Sequence, residues 1–306
     1  MSETASGTAS RGPARIVITG ASGQVGRFLA AEAGRRGHGV LALGSADCDI
    51  TDPGAPERYV EAGDVVVNCA AYTDVDGAES DEAAAYAVNA TGAENVAHAC
   101  ARAGARLLHI STDYVFGGGV FGGGPVPPRP YEPGDDTAPV NAYGRSKLAG
   151  ELAVLAAMPD AVVVRTSWVY TGADGTDFAA AMRRRAERAQ PTEVVDDQVG
   201  SPTYVADLVA ALFQIAGAAI REPVLHAANA GAASRYEQAR AVFAELGADP
   251  ELVSPIDSAR HPRPAPRPAY SALGGEVSAA AGLTPLRPWR DALAEALRSR
   301  PLPSTP

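Results

Sequence analysis

Tyr143 and Lys147 are the residues whose types and spacing point most directly to chemistry. They stand four positions apart in the segment Asn141–Leu148, and in a helix this spacing places both side chains on one face. A tyrosine hydroxyl titrates near pH ~10. An ammonium at about 5 Å, in an effective dielectric of about 20, favours the tyrosinate by roughly 3 kcal/mol, or about two pKa units. The pair predicts a tyrosine that exchanges a proton with a substrate, although an amphipathic helix with a surface lysine shows the same spacing.

A glycine-rich turn near the N-terminus predicts a dinucleotide site. The apolar run at 15–19 leads into Gly20, Gly23 and Gly26, and a helical pattern follows at 24–36. Glycines at this spacing let backbone N–H groups approach a pyrophosphate, which the N-terminus of the following helix then faces. The same glycines without this context would indicate only an ordinary strand-to-helix turn.

Four further apolar runs, at 39–43, 64–68, 106–110 and 161–165, alternate with helical patterns. Strand–helix units in series predict an α/β fold, a doubly wound parallel sheet of the Rossmann type. Helices and one strand in the later chain predict a smaller, interwoven C-terminal substrate lobe. We expect a disordered tail at 1–13, a dinucleotide-binding domain at 14–170, and a substrate-binding lobe at 171–306 whose residues near 220–230 return to the sheet.

Polar residues follow these apolar runs, where a parallel sheet binds its ligands. Thr112 and Asp113 follow the fourth run and Trp168 follows the fifth. Asp49, after the second run, is suited either to contact with adenine or to capping a turn or helix. Capping is also an ordinary role for Thr112 and Asp113.

The third run is followed by mostly small residues at 69–73, which let a dinucleotide lie against the backbone. A long helical stretch at 79–103 comes next. Asn89 is a polar residue within its apolar stripe. It either bonds to backbone near the site or faces water.

The helix of Tyr143 follows a long loop rich in glycine and proline. Leu148, Leu152 and Leu155 recur at helical spacing and predict the buried face of this helix. The loop at 117–139 is too rich in glycine and proline for regular structure. Loops of this length are often functional, so it is expected to be a lid or substrate rim, with a solvated surface excursion as the alternative.

Composition excludes several classes of function. A net charge of -10 and a pI near 5.0 argue against nucleic acid or an anionic membrane as the main partner. The chain shows no long apolar run and no signal-peptide pattern, and Cys48, Cys69 and Cys100 are expected to be reduced thiols in a cytoplasm. The five histidines lack metal-ligand spacing, so no metal is expected. The motifs of serine hydrolases and P-loop kinases are absent from the sequence.

The order of the motifs resembles that of an extended short-chain dehydrogenase/reductase. More narrowly, it is similar to the dTDP-4-dehydrorhamnose reductase family. The resemblance covers nearly everything after residue 14 and rests on TGASGQVG (19–26), NCAAYT (68–73), STDYVF (111–116), YGRSK (143–147), RTSWVY (165–170), VVDDQVGSPTY (194–204) and RPAYSAL (267–273).

The resemblance implies hydride transfer from NADPH, or NADH, to the C4 ketone of a dTDP-4-dehydro-6-deoxy-L-hexose, most simply giving dTDP-L-rhamnose. It implies that Tyr143 donates the proton, Lys147 holds the nicotinamide ribose and shifts the pKa of the tyrosine, and Thr112 bonds the reacting oxygen. Asp113 and Trp168 would contact the sugar nucleotide. Besides Tyr143 and Lys147, the implied cofactor contacts are Gly20, Gly23, Gln24, Val25, Gly26, Asp49, Ile50, Ala70, Ala71 and Tyr72.

Two segments depart from the family pattern. The 117–139 loop is several residues longer, and Gly274–Val277 replaces a polar stretch that usually contains lysine. Arg263 and Arg267 would suit a diphosphate, or are simply exposed. A nucleotide-sugar epimerase or dehydratase shares the Tyr/Lys pair, and the regulatory subunit of methionine adenosyltransferase shares the likeness without catalysis. Which dTDP-4-keto sugar is used, the choice between NADPH and NADH, and a monomeric or homodimeric state stay open at this level.

Overall fold

A computed structural model describes residues 15–117, 129–172, 175–217, 220 and 222–299. The tail expected at 1–13 and residues 118–128 of the expected lid lie outside the described residues. The strands are β1 (Ile16–Thr19), β2 (Val40–Leu43), β3 (Val65–Asn68), β4 (Arg106–Thr112), β5 (Val162–Thr166), β6 (Val169–Tyr170), β7 (Thr192–Val195), β8 (Val199–Gly200), β9 (Thr203–Tyr204), β10 (Val224–His226), β11 (Ala233–Ser234) and β12 (Val253–Ile256).

The helices alternate with these strands through the first half of the chain. They are α1 (Gln24–Arg35), α2 (Gly54–Glu57), α3 (Gly77–Ser80), α4 (Glu82–Tyr86), α5 (Ala93–Ala103), α6 (Ala142–Ala157), α7 (Phe178–Glu187), α8 (Val205–Gly217), α9 (Arg235–Glu245), α10 (Glu276–Ala280) and α11 (Trp289–Arg298). A π-helical turn at Ala87–Gly92 joins α4 to α5.

Six strands form one parallel sheet in the order β2-β1-β3-β4-β5-β10. Every residue of β1, β3 and β5 is buried, because helices cover both faces of the sheet. Alternate side chains of β1 enter different cores: Ile16 and Ile18 pack on one face, and Val17 packs on the other. This arrangement is the doubly wound sheet that the strand–helix pattern predicts.

The chain order reverses at β1, which lies between β2 and β3. In such a sheet a crevice opens at the carboxyl ends of the strands beside the reversal, and ligands bind there. On the far side, β10 pairs with β5 with Leu225 opposite Val164, so a segment from the second half of the chain extends the sheet. The remaining strands form two-stranded pairs, β6 with β9, β7 with β12 and β8 with β11.

Helix α6 buries a face that its leucines do not predict. Leu152 is 63% exposed, so the prediction of a buried Leu148–Leu152–Leu155 stripe is wrong for its central member. Lys147 and Glu151 are buried instead. Each has a partner that an apolar pattern does not anticipate: Lys147 donates to a strand carbonyl, and Glu151 pairs with an arginine of β5.

Gly150 lets α6 lie unusually close to the π-helical turn. A Cβ atom at this position would come 2.0 Å from the backbone oxygen of Asn89, a distance that real Cβ atoms do not show. Since that oxygen belongs to backbone, it cannot rotate away. The helix that carries Tyr143 and Lys147 is therefore positioned by a glycine contact.

We expect Gly150→Ala to lower the free energy of unfolding by about 1–3 kcal/mol, because the helices must separate to admit one methyl group. The matched control is Gly34→Ala in α1, where a Cβ atom would meet nothing within 4 Å. That change should raise stability by about 0.5–1 kcal/mol, since it replaces glycine by alanine within a helix. Urea unfolding midpoints measure both changes. Equal midpoints for the two variants would refute the close contact.

Candidate active site

The glycine turn after β1 brings the backbone of three segments together. Gly20 has φ +66, and a Cβ atom there would lie 2.5 Å from the backbone nitrogen of Ala70, after β3. Helix α1 begins at Gln24, and no side chain caps its first turn. Its N-terminal N–H groups are thus available to a phosphate, as a dinucleotide site requires.

A cleft of about 730 Å³ runs along the carboxyl ends of the strands. Every site residue predicted from the sequence lines it: Gly20, Gly23, Gln24, Val25, Gly26, Asp49, Ile50, Ala70, Ala71, Tyr72, Thr112, Asp113, Tyr143, Lys147 and Trp168. Asp49 also accepts hydrogen bonds from the backbone nitrogen and hydroxyl of Thr51, which are the contacts of a turn cap. Asp49 therefore caps the turn. It also lies beside the cleft, and its contact with adenine stays a prediction.

Tyr143 lies beside Thr112 at the end of β4. Burial raises the pKa of its hydroxyl, whereas hydrogen bonding with Thr112 lowers it and the charge of Asp113 raises it further. The Tyr114 ring meets the Tyr143 ring edge-on at 5.8 Å. The net result is a tyrosine that stays protonated at neutral pH, the form that a proton donor needs.

Lys147 is 2% exposed and is turned toward β4. Its Nζ donates to the backbone oxygen of Ile110 at 2.8 Å and lies 3.4 Å from Nε2 of His109. Burial lowers the pKa of this amine to about 8, while the charges of Glu151 and Cys69 raise it. The expected lowering of the Tyr143 pKa by Lys147 stays a prediction.

Asn89 bonds to backbone near the site, which decides between the two interpretations that the sequence leaves open. Its Oδ1 accepts from the backbone nitrogen of Tyr72 at 2.8 Å, and its Nδ2 donates to the Tyr72 oxygen at 3.1 Å and to Ser146 Oγ at 2.9 Å. The side chain is 1% exposed. Asn89 therefore ties the cleft wall at Tyr72 to the helix that carries Tyr143.

Asp113 is a buried carboxyl at the centre of the site. Its oxygens accept from Ser271 Oγ at 2.5 Å and from Thr112 Oγ1 at 3.2 Å, and Ser167 also bonds to it. Burial is the largest influence and raises the pKa of this carboxyl to about 6, although these hydroxyls lower it. Asp113 thus joins the end of β4 to the later chain.

Trp168 and Arg235 form a stacked pair that the sequence does not reveal. The Arg235 guanidinium lies 3.5 Å from the centre of the Trp168 ring and 4.9 Å from that of Phe178. Trp168 has φ 46, a left-handed conformation that costs about 1–2 kcal/mol for a residue with a Cβ atom. Because Arg235 lies far along the chain, only its position at the start of a helix distinguishes it from other arginines.

Arg263 and Arg267 both pair with Asp76, just before α3. Asp76 also accepts from the backbone nitrogen of Ala265 at 3.1 Å. This contact fastens the proline-rich segment to the dinucleotide side of the molecule. Both arginines are engaged with a carboxylate. Arg263 is exposed, as one of the two interpretations has it, whereas the Arg267 side chain is largely buried.

The chain matches the family model described as the RmlD substrate binding domain over residues 14–300. It belongs to this family. The dTDP-4-dehydrorhamnose reductase of Mycobacterium tuberculosis is 63% identical over 299 residues, which cover 95% of this chain and 97% of the relative. The reductase of the same name from Mycolicibacterium smegmatis is 59% identical, with 95% and 90% covered.

Solved structures agree with this assignment. A Bacillus anthracis dTDP-4-dehydrorhamnose reductase in complex with NADP superposes with a TM-score of 0.86 at 34% identity, covering 94% of this chain and 99% of that one. The predicted family and the predicted extended short-chain dehydrogenase/reductase fold are confirmed. Within the described ranges, no helix has the length and apolar character needed to span a bilayer, and no three His, Cys, Asp or Glu side chains cluster as metal ligands would.

The raised pKa of Asp113 predicts a pH-dependent stability. A carboxyl whose folded pKa exceeds its ordinary 3.8 stabilises the fold below that value and loses this contribution as the pH rises through about 6. Ionisation therefore costs the folded state up to about 3 kcal/mol at neutral pH. We expect the stability of Asp113→Asn, relative to the unsubstituted protein, to increase by up to this amount between about pH 4 and about pH 7.

Urea unfolding across that pH range measures this difference. Asp49→Asn is the matched control, because Asp49 is exposed and its hydrogen bonds to Thr51 lower the pKa of its carboxyl. Its removal should give no such increase. A pH-independent stability difference for Asp113→Asn would show that the buried carboxyl is not strained by ionisation.

Proposed function

We propose that this protein reduces the C4 ketone of dTDP-4-dehydrorhamnose to give dTDP-L-rhamnose, with NADPH as the preferred reductant. It is an oxidoreductase of the dTDP-4-dehydrorhamnose reductase family. The observation that carries the proposal is one continuous cleft in which the glycine cradle, Thr112, Tyr143 and Lys147 lie together. A ketone reduction needs a cofactor site, an acid and a partner for the developing oxyanion at one point.

The described residues fit a dinucleotide. The uncapped start of α1 and the close approach at Gly20 suit the pyrophosphate. Val25, Ile50 and Ala71 would line the rest of the cofactor, with Lys147 at the nicotinamide ribose. When bound, the nicotinamide supplies hydride to the ketone carbon. The NADP complex of the Bacillus anthracis relative supports NADPH, and no acid stands at the end of β2 to bond a ribose hydroxyl.

Tyr143 supplies the proton that the reduced oxygen takes up. Its hydroxyl is protonated at neutral pH, so the tyrosine carries a proton that it can donate as the ketone oxygen gains charge. Thr112 lies at the end of β4 beside Tyr143. Its single hydroxyl hydrogen goes to Asp113 in the free protein and would turn to the same oxygen when a ketone is bound. The Lys147 ammonium would stabilise the tyrosinate left behind, because it lies one helical turn away in a region of low dielectric.

Residues from both parts of the chain form the sugar-nucleotide side. Trp168 and Asp113 line the cleft, and Arg235 adds a cation stacked on Trp168. We propose the division into a dinucleotide-binding part, 14–170, and a substrate-binding lobe, 171–306, on these contacts. We also propose that the protein acts in the cytoplasm, where its three free cysteines stay reduced; a monomeric or homodimeric state stays a prediction.

The direct test mixes the purified protein with NADPH and follows the cofactor absorbance. It should fall only when a dTDP-4-keto sugar is added. An epimerase or dehydratase would convert the sugar without consuming NADPH, and a regulatory subunit would do neither. Consumption of NADPH with ketones that lack the nucleotide would also contradict the proposal.

Tyr143→Phe should lower turnover by about 10²–10⁴-fold while leaving NADPH affinity nearly intact, because it removes the hydroxyl and keeps the ring. Steady-state rates and fluorescence titration with NADPH measure the two effects. Tyr114→Phe, whose ring packs against that of Tyr143, is the matched control and should keep most of the turnover. Near-normal turnover in Tyr143→Phe would mean that another group supplies the proton.

Lys147→Ala should weaken both turnover and NADPH affinity, since one ammonium serves the ribose and the tyrosine. The same titration compares it with Tyr143→Phe, which affects turnover alone. An unchanged NADPH affinity in Lys147→Ala would contradict the assignment of the ribose contact.

A further inference from the structure

His109 on β4 is a buried titratable side chain that the chemistry above does not use. It is 0% exposed. One ring nitrogen, Nδ1, lies 3.1 Å from Nδ2 of Asn68, and the other, Nε2, lies 3.4 Å from Nζ of Lys147. The imidazole therefore lies between Asn68 and Lys147, with its Nε2 edge toward the lysine.

The orientation of the Asn68 amide is determined by its other contacts. Its Oδ1 meets the backbone nitrogen of Ala70 at 3.1 Å and the hydroxyl of Thr19 at 2.7 Å. A backbone N–H can only donate, so the atom that it meets must be the amide oxygen. The amide nitrogen then faces His109.

The tautomer of His109 follows from this orientation. An amide NH₂ group only donates, so Nδ1 of His109 accepts and carries no hydrogen. Burial and the charge of Lys147 hold the pKa of the imidazole well below its usual range. The ring is therefore neutral and carries its one hydrogen on Nε2, which points at Nζ.

The contact between His109 and Lys147 consequently brings two donors together. An ammonium has three N–H bonds and no lone pair, and one of its hydrogens goes to the Ile110 oxygen. We propose that His109 is a positioning residue of the active site: because its Nε2–H is a donor, it leaves the Ile110 oxygen as the acceptor for Lys147 on β4 and directs the remaining N–H bonds of Lys147 into the cleft. This role rests on the proposed function of Lys147 toward Tyr143 and the cofactor.

The same contact favours the neutral amine, whose lone pair can accept from Nε2–H. Other groups that face Lys147 act in known directions. Burial is the largest influence and lowers its pKa to about 8, whereas Glu151, on the same helix, and Cys69, after β3, raise it. Tyr143 lies one turn earlier on the same helix. Replacing the His109 donor by an acceptor should therefore raise the pKa of Lys147.

Lys147 is the only lysine in the chain, so lysine labelled with ¹³C gives a single side-chain signal. In the free protein this signal should titrate with a midpoint near 8. In His109→Gln the midpoint should rise by about one to two units, because the amide can turn its oxygen toward the ammonium. His98→Gln is the matched control: His98 is exposed, faces Glu94 and should leave the midpoint in place.

An unchanged or lower midpoint in folded His109→Gln would overturn the proposal. Should that variant not fold, histidine labelled with ¹⁵N in the unsubstituted protein provides a second test. The imidazole that shows proximity to the single lysine should carry its hydrogen on Nε2 alone, from about pH 6 to about pH 9. An Nδ1–H tautomer or a charged ring would overturn it. Neither measurement uses NADPH or a sugar, so both stand apart from the proposed reaction.

Discussion

The burial of one ammonium group constrains much of this structure. Lys147 is 2% exposed, and a buried cation is stable only where polar groups replace its water. The Ile110 carbonyl supplies one such group at 2.8 Å. Glu151 lies one turn along the same helix and is held by Arg165 through bonds of 2.9 and 2.7 Å. The ammonium thus lies between the backbone of β4 and the cleft, where it can contact a ligand.

This constraint sets which face of α6 is buried. A helix that turns Lys147 and Glu151 toward the sheet must turn Leu152 outward, and Leu152 is indeed 63% exposed. The Arg165 guanidinium also donates to the Pro133 oxygen at 3.2 Å. The ion pair therefore couples the helix to β5 and to the described C-terminal part of the 117–139 loop. This packing keeps Lys147 at the active site. A helix that buried its leucines instead would have turned the lysine toward solvent.

The sequence predicts those parts of the site that depend on local spacing. Three such features lie within a few positions of the sequence: the interval between Tyr143 and Lys147, the glycine turn after β1, and the polar residues at strand ends. His109 looks like a scattered histidine because its partners come from β3 and α6, brought together only by folding. Arg235 is missed for the same reason, since its contact with Trp168 joins distant elements. Helical periodicity misleads at Leu152 because it counts apolar residues and cannot foresee a long-range ion pair.

Transfer of deuterium tests most directly whether this cleft reduces a sugar ketone. The protein would be incubated with dTDP-4-dehydrorhamnose and NADPH that carries deuterium at the transferable position of the nicotinamide, and the product examined by NMR and mass spectrometry. We predict one deuterium at C4 of the 6-deoxyhexose and none elsewhere, with the hydroxyl hydrogen drawn from Tyr143 and exchanged with water. A product without deuterium, or with deuterium at another carbon, would contradict the assignment of C4 ketone reduction to this site.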